Sequence, residues 1–106
     1  MTHKAKKVVI ITERGLVTRI ADVIERHGAT GYTVVTAGGK GSRGIRAENR
    51  AKVVDALSNI KIEVIAGTPE MAEGIAEEVA ARYFGDYSGI TYLEDVDILR
   101  PHKFNG

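Results

Sequence analysis

Twice in this chain a run with helical period stops at a glycine and restarts a few residues later, behind a second glycine, as a β-rich run. The stretches are HGATGYTVV, with Gly28 and Gly31, and FGDYSGITYL, with Gly85 and Gly89. Each helical run also has a strand-like segment before it: KVVIIT (Lys7 to Thr12) in the first copy and NIKIEVIA (Asn59 to Ala66) in the second. Two strand–helix–strand units within 106 residues are accommodated most economically as an α+β, ferredoxin-like βαββαβ sandwich. In that arrangement an antiparallel sheet carries both helices on one face.

Local signals support the division. Leu16, Ile20, Val23, Ile24 and His27 recur at spacings of three and four, and Arg26, His27 and Gly28 provide a helix stop. In NIKIEVIA, Ile60, Ile62 and Val64 alternate with Lys61 and Glu63, as expected of a strand with one buried face. Thr68-Pro69-Glu70 supplies an N-cap, a proline at the first helical position and an early acid for a helix through Met71, Ile75, Val79 and Tyr83 or Phe84. GYTVVTA, from Gly31, and GITYL, from Gly89, complete the strands, with VDILR as a further extended piece ending before Pro101. Because helices cover only one face, Ile65, on the other side of its strand from Ile60 and Ile62, hints at burial against another subunit.

At 43% hydrophobic content this length suits one compact core, so a single domain over residues 1–106 is expected. The chain has no cysteine, which excludes disulfides and thiolate metal sites. VVII is too short for a signal or membrane-spanning segment, so a cytoplasmic protein without direct membrane insertion is expected. The net charge of +1 offers no support for nucleic-acid binding, and an RNA-stacking sheet would need aromatic residues that KVVIIT and NIKIEVIA lack.

Charge is nevertheless localised. Lys40, Arg43, Arg46, Arg50 and Lys52 cluster in the segment between the second and third strands, with Glu48 the only acid among them. That connection exceeds what a hairpin needs and carries TAGGKGSRGIR, residues 36–46. Its glycines let backbone N–H groups converge on an anion, and its cations match phosphate oxygens. GGKGSRG is not a Walker sequence, and a solvated loop is the plain alternative. DYSGIT adds a second glycine turn, and Arg100, His102 and Lys103 add cations near the chain end. Ala51, Val54 and Leu57 could form a short helix closing the long connection.

No nucleophile is apparent, because Ser42 lacks an evident His and acid partner. The histidines His3, His27 and His102 show no metal-binding spacing; His27 reads as an exposed residue at a helix C-terminus, favoured by the dipole. Lys61 and Glu63 share a strand face and are expected to pair.

The combination of KVVIIT, HGATGYTVVTAGGKGSRGIR, NIKIEVIA, MAEGIAEEVAARYFGDYSGITYL and a basic tail resembles the PII-like signalling proteins over nearly the whole chain. It is most similar to the branch linked to inorganic-carbon uptake, that of SbtB and the carboxysome-associated PII-like proteins. The resemblance implies a homotrimer that binds adenine nucleotides in the clefts between neighbours and presents a T-loop, about residues 38–58, that changes conformation and meets a partner. Gly39, Lys40, Gly41, Ser42, Arg43 and Arg46 would then meet phosphates, with Thr33, Gly89 and Ile90 around base and ribose. Glu63, Val64 and Ile65 would form the cleft wall, and Arg100 would be a second-rank phosphate contact.

The nitrogen-branch relatives carry a lysine where Ile90 stands and a modifiable tyrosine in the T-loop. This chain has neither, so uridylylation and nitrogen sensing are not expected. SbtB often extends into a cysteine-bearing C-terminal loop, whereas this sequence reads FNG at residues 104–106 without cysteine, so redox control of that kind is not expected to carry over. The function implied is a non-enzymatic sensor without a cofactor, responding to ADP or AMP, with ATP, cyclic AMP and bicarbonate as further candidate ligands. Its partner would be a membrane bicarbonate transporter or a carboxysome-linked protein. The alternatives are a weak nucleotidase in the same clefts and a trimeric metal-tolerance protein of the CutA type.

Overall fold

A computed structural model describes residues 1–37 and 59–100. The elements are β1 (His3–Glu13), a single 3-10 turn (Arg14–Leu16), α1 (Val17–Arg26), β2 (Thr33–Ala37), β3 (Asn59–Ala66), α2 (Pro69–Tyr83) and β4 (Gly89–Ile98). The strands form one sheet in the order β2-β3-β1-β4 with every pairing antiparallel, which is the expected ferredoxin-like arrangement. Residues 38–58, where a T-loop and a short helix around Ala51, Val54 and Leu57 are expected, lie outside the described residues. Among the described residues no helix is long and apolar enough to cross a membrane.

Alternation along the strands decides which face the helices cover. Val8, Ile10, Ile60, Ile62 and Val64 point to one side and are fully or nearly fully buried with Ile20, Val23 and Ile24 of α1 and Ala72, Ile75 and Val79 of α2. Each such valine or isoleucine side chain contributes about 1.5–3 kcal/mol by leaving water. The start of α2 follows its sequence: the Thr68 side chain accepts a hydrogen bond from the Met71 N–H at 3.1 Å, and Pro69 occupies the first turn. Gly28, at φ 93°, ends α1 in a conformation that only glycine adopts without strain.

Two expectations are corrected. GITYL and the first three residues of VDILR are one strand, because β4 pairs with β1 continuously from Gly89↔Thr12 to Ile98↔His3, with Leu99 and Arg100 beyond its end. His27 is not simply an exposed helix end: its ring is partly buried and its Nε2 lies 2.8 Å from Glu78 Oε1. Glu78 also accepts hydrogen bonds from Arg26 Nη2 at 2.9 Å and Arg82 Nε at 2.6 Å, tying α1 to α2. Gly74 makes room for this arrangement, since a Cβ there would lie 2.9 Å from His27 Cε1.

The bonds to Glu78 from His27, then Arg26 and Arg82, hold its carboxyl at about 2, below an ordinary value of 4.5. A depressed folded-state value gives stability that is present above 4.5 and lost as pH falls through about 2. Glu78→Gln should therefore be less stable than the native protein at neutral pH, with the gap closing over that acid window. Denaturant midpoints across pH test this, and parallel profiles for the two proteins would contradict it.

Candidate functional site

Of the residues that sequence analysis singled out, Thr33, Glu63, Ile65 and Ile90 stand on the face of the sheet away from the helices. Register sets them in rows. Thr33, Glu63, Val9 and Tyr92 are successive Cα partners across all four strands, and so are Val35, Lys61, Ile11 and Ile90. The face is largely apolar: Val9 is 1% exposed, whereas Val35, Tyr92 and Ile90 remain 46%, 41% and 56% exposed.

In the middle of this surface is a compact ion cluster. Lys7 Nζ lies 3.6 Å from Glu63 Oε2 and 3.3 Å from Glu94 Oε1, and Lys61 Nζ lies 3.4 Å from Glu63 Oε2. The expected pairing of Lys61 with Glu63 is present, with Lys7 as a second partner that sequence spacing gave no means of finding. Hydrogen bonding to Glu94, helped by the charges of both carboxylates, holds the Lys7 amine above its ordinary value.

A second construction surrounds the turn between α2 and β4. Tyr87 N–H donates to the Tyr83 carbonyl at 2.9 Å and Asp86 N–H to the same oxygen at 3.2 Å. Thr12 Oγ1 donates to the Ser88 carbonyl at 2.7 Å, and Ser88 N–H donates to Glu13 Oε2 at 3.1 Å. From α1, the Arg19 guanidinium stands 6.0 Å from the centre of the Tyr87 ring. Phe84 packs so closely over Gly89 that a Cβ there would lie 2.2 Å from Phe84 Cε1.

The structure brings some of the expected site residues together and separates others. Thr33 and Glu63 are direct partners, with Val64 and Ile65 following Glu63 on β3. Val64 is fully buried towards the helices, so its backbone, not its side chain, is what a ligand on the open face could meet. Gly89 and Ile90 begin β4 at the opposite edge of the sheet. The Glu63 and Gly89 positions are two strands and three residues of register apart, about 10 Å in each direction. Arg100 is exposed beyond the other end of β4, a strand that spans roughly 30 Å from Gly89 to Ile98. Gly39, Lys40, Gly41, Ser42, Arg43 and Arg46 lie outside the described residues, as do His102 and Lys103. Among the described residues no three His, Cys, Asp or Glu side chains gather as a metal site would require.

The family model described as nitrogen regulatory protein P-II matches residues 5–103. The chain belongs to the P-II family. Among solved structures, this P-II chain is 36% identical to a candidate PII-like signaling protein of Thermus thermophilus, with a TM-score of 0.78 and 97% of each chain covered. It is 27% identical to CPII of Thiomonas intermedia, a PII-like protein bound to ADP, AMP and bicarbonate. There the TM-score is 0.80, with 100% of this chain and 98% of that one covered. A second CPII structure, bound to ADP and bicarbonate, is 28% identical with a TM-score of 0.80 over 98% of this chain and 97% of that one. P-II proteins are signalling regulators, which places the present chain in that class.

Proposed function

We propose that this P-II protein is a non-catalytic, homotrimeric sensor of ADP and AMP, with bicarbonate as a further ligand. In this reading it controls inorganic-carbon uptake or carboxysome function through a ligand-dependent T-loop at about residues 38–58. Its main support is the likeness, over essentially the whole chain, to CPII structures holding ADP, AMP and bicarbonate.

The geometry of the single chain favours a site completed by a neighbour. Thr33 with Glu63 and Ile65 lies towards one edge, Gly89 with Ile90 at the other, and Arg100 beyond the far end of β4. A cleft between copies would unite groups that one copy holds apart. The apolar open face, with its lysines already neutralised by Glu63 and Glu94, suits burial against other copies better than unpaired charges would. Gly39, Lys40, Gly41, Ser42, Arg43 and Arg46 would hold the phosphates, and Thr33, Gly89 and Ile90 the base and ribose.

Ile90 also bears on ligand choice. An exposed aliphatic side chain provides no charge-assisted partner for an outer phosphate, so AMP or ADP should bind at least as tightly as ATP. Calorimetric titration of AMP, ADP, ATP, cyclic AMP and bicarbonate at matched salt and magnesium tests this ordering. Binding of ATP tenfold tighter than ADP, a gap of about 1.4 kcal/mol, would contradict it. Sedimentation of the same preparation should give a trimer, and a monomer would remove the shared cleft.

A further inference from the structure

Ser88 immediately precedes β4, and successive side chains at the end of β1 engage both of its backbone hydrogen-bonding groups. Thr12 Oγ1 donates to the Ser88 carbonyl at 2.7 Å, while Glu13 Oε2 accepts from the Ser88 N–H at 3.1 Å. Strand alternation sends Thr12 to the helix-covered face and Glu13 to the open one, so the residue is gripped from both sides of the sheet. The Ser88 carbonyl belongs to the planar peptide unit that carries the Gly89 N–H. Fixing that carbonyl therefore fixes the direction of the Gly89 amide. Thr12 is 3% exposed, so its hydroxyl is held out of water against the Ser88 carbonyl. Valine would fill the same space without a hydroxyl, so a role confined to packing would not need threonine.

We propose that Thr12 and Glu13 are positioning residues of the nucleotide site. Together they aim the Gly89–Ile90 backbone, and the Glu13 carboxylate, seated on the amide just before it, biases the site against added phosphates. The inference rests on the reading that Gly89 and Ile90 line that site. Glu13 offers a test that packing alone would not pass, because Glu13→Gln keeps an oxygen acceptor for Ser88 and removes only the charge.

Titration of the full chain with AMP, ADP and ATP, alongside thermal melting of the ligand-free protein, separates the possibilities. Thr12→Val should weaken ADP binding about 5- to 10-fold, the scale of one hydrogen bond, and Thr12→Ser should restore it. Glu13→Gln should shift the ATP-to-AMP affinity ratio at least about threefold towards ATP, as expected from removing a nearby like charge, with melting close to the native protein's. If Thr12→Val fails to fold, the Glu13→Gln ratio decides. With native protein that binds ADP, Thr12→Val binding within about twofold of native, or an unchanged ratio in Glu13→Gln, would overturn the proposal. Native protein that binds none of the three nucleotides would instead remove the nucleotide reading, and this one with it.

Discussion

Gly89→Ala should destabilise the protein by about 1–3 kcal/mol, the usual cost of forcing atoms into a packed site. An added Cβ would fall 2.2 Å from Phe84 Cε1, 2.4 Å from Cζ and 2.7 Å from Cδ1, inside any tolerable contact. A phenyl ring cannot bend away as a lysine tip can, and Phe84 packs against the buried core. Relief would require the ring to swing out or the start of β4 to lift from β1. Backbone conformation is not the cause, since Gly28 is the only described residue with positive φ. Gly85 serves as the control: nothing lies within 4 Å of a Cβ placed there, so Gly85→Ala should change stability by less than about 0.5 kcal/mol. Urea denaturation measures both. Phe84→Ala in the Gly89→Ala background should cost less than it does alone, because the clash is gone. A Gly89→Ala protein as stable as the native one would refute the packing role and leave ligand approach as the reason for glycine.

The second large effect concerns ligand affinity. Arg43→Ala and Arg46→Ala should each weaken ADP binding by about 1.5–3 kcal/mol, the scale of a hydrogen bond to a charged group, while the melting transition of the free protein stays where it was. The expectation comes from their place in the glycine-rich segment GGKGSRGIR and from the likeness to ADP-bound CPII. A glycine-rich backbone can approach a phosphate closely, and a guanidinium then supplies paired donors. If both variants bind ADP like the native protein, the segment is a partner surface and the phosphates are held elsewhere.

Local chemistry made much of this molecule legible. The alternation in NIKIEVIA defines β3 without reference to any other segment, and its bounds agree with the structure. Thr68-Pro69 places the start of α2 because an N-cap and a first-turn proline act within a few residues. Gly28 stops α1 for a similarly local reason. The sequence therefore sufficed for the order and type of the elements, and hence for the ferredoxin-like sandwich.

What depended on partners distant in sequence was not visible. The lysines at the start of the chain look like a polar lead-in, and Glu94-Asp95 looks like the end of a strand. Yet Lys6 pairs with Asp95, Lys4 with Asp97 and Lys7 with Glu94, and each polar stretch becomes β-strand because the other lies opposite it. Opposite charges set directly across from each other favour this register over slipped ones in which lysines would lose their carboxylate partners. Glu78, 51 residues from His27, likewise turned an apparent helix end into a link between helices. The sequence by itself determined the order and type of the elements, because period, capping and turn preferences act over a few residues, but not how far β1 and β4 extend. Register, the ring over Gly89 and the grip of Thr12 and Glu13 on Ser88 were decided by the tertiary structure, because each depends on which distant residues the closed sheet sets side by side.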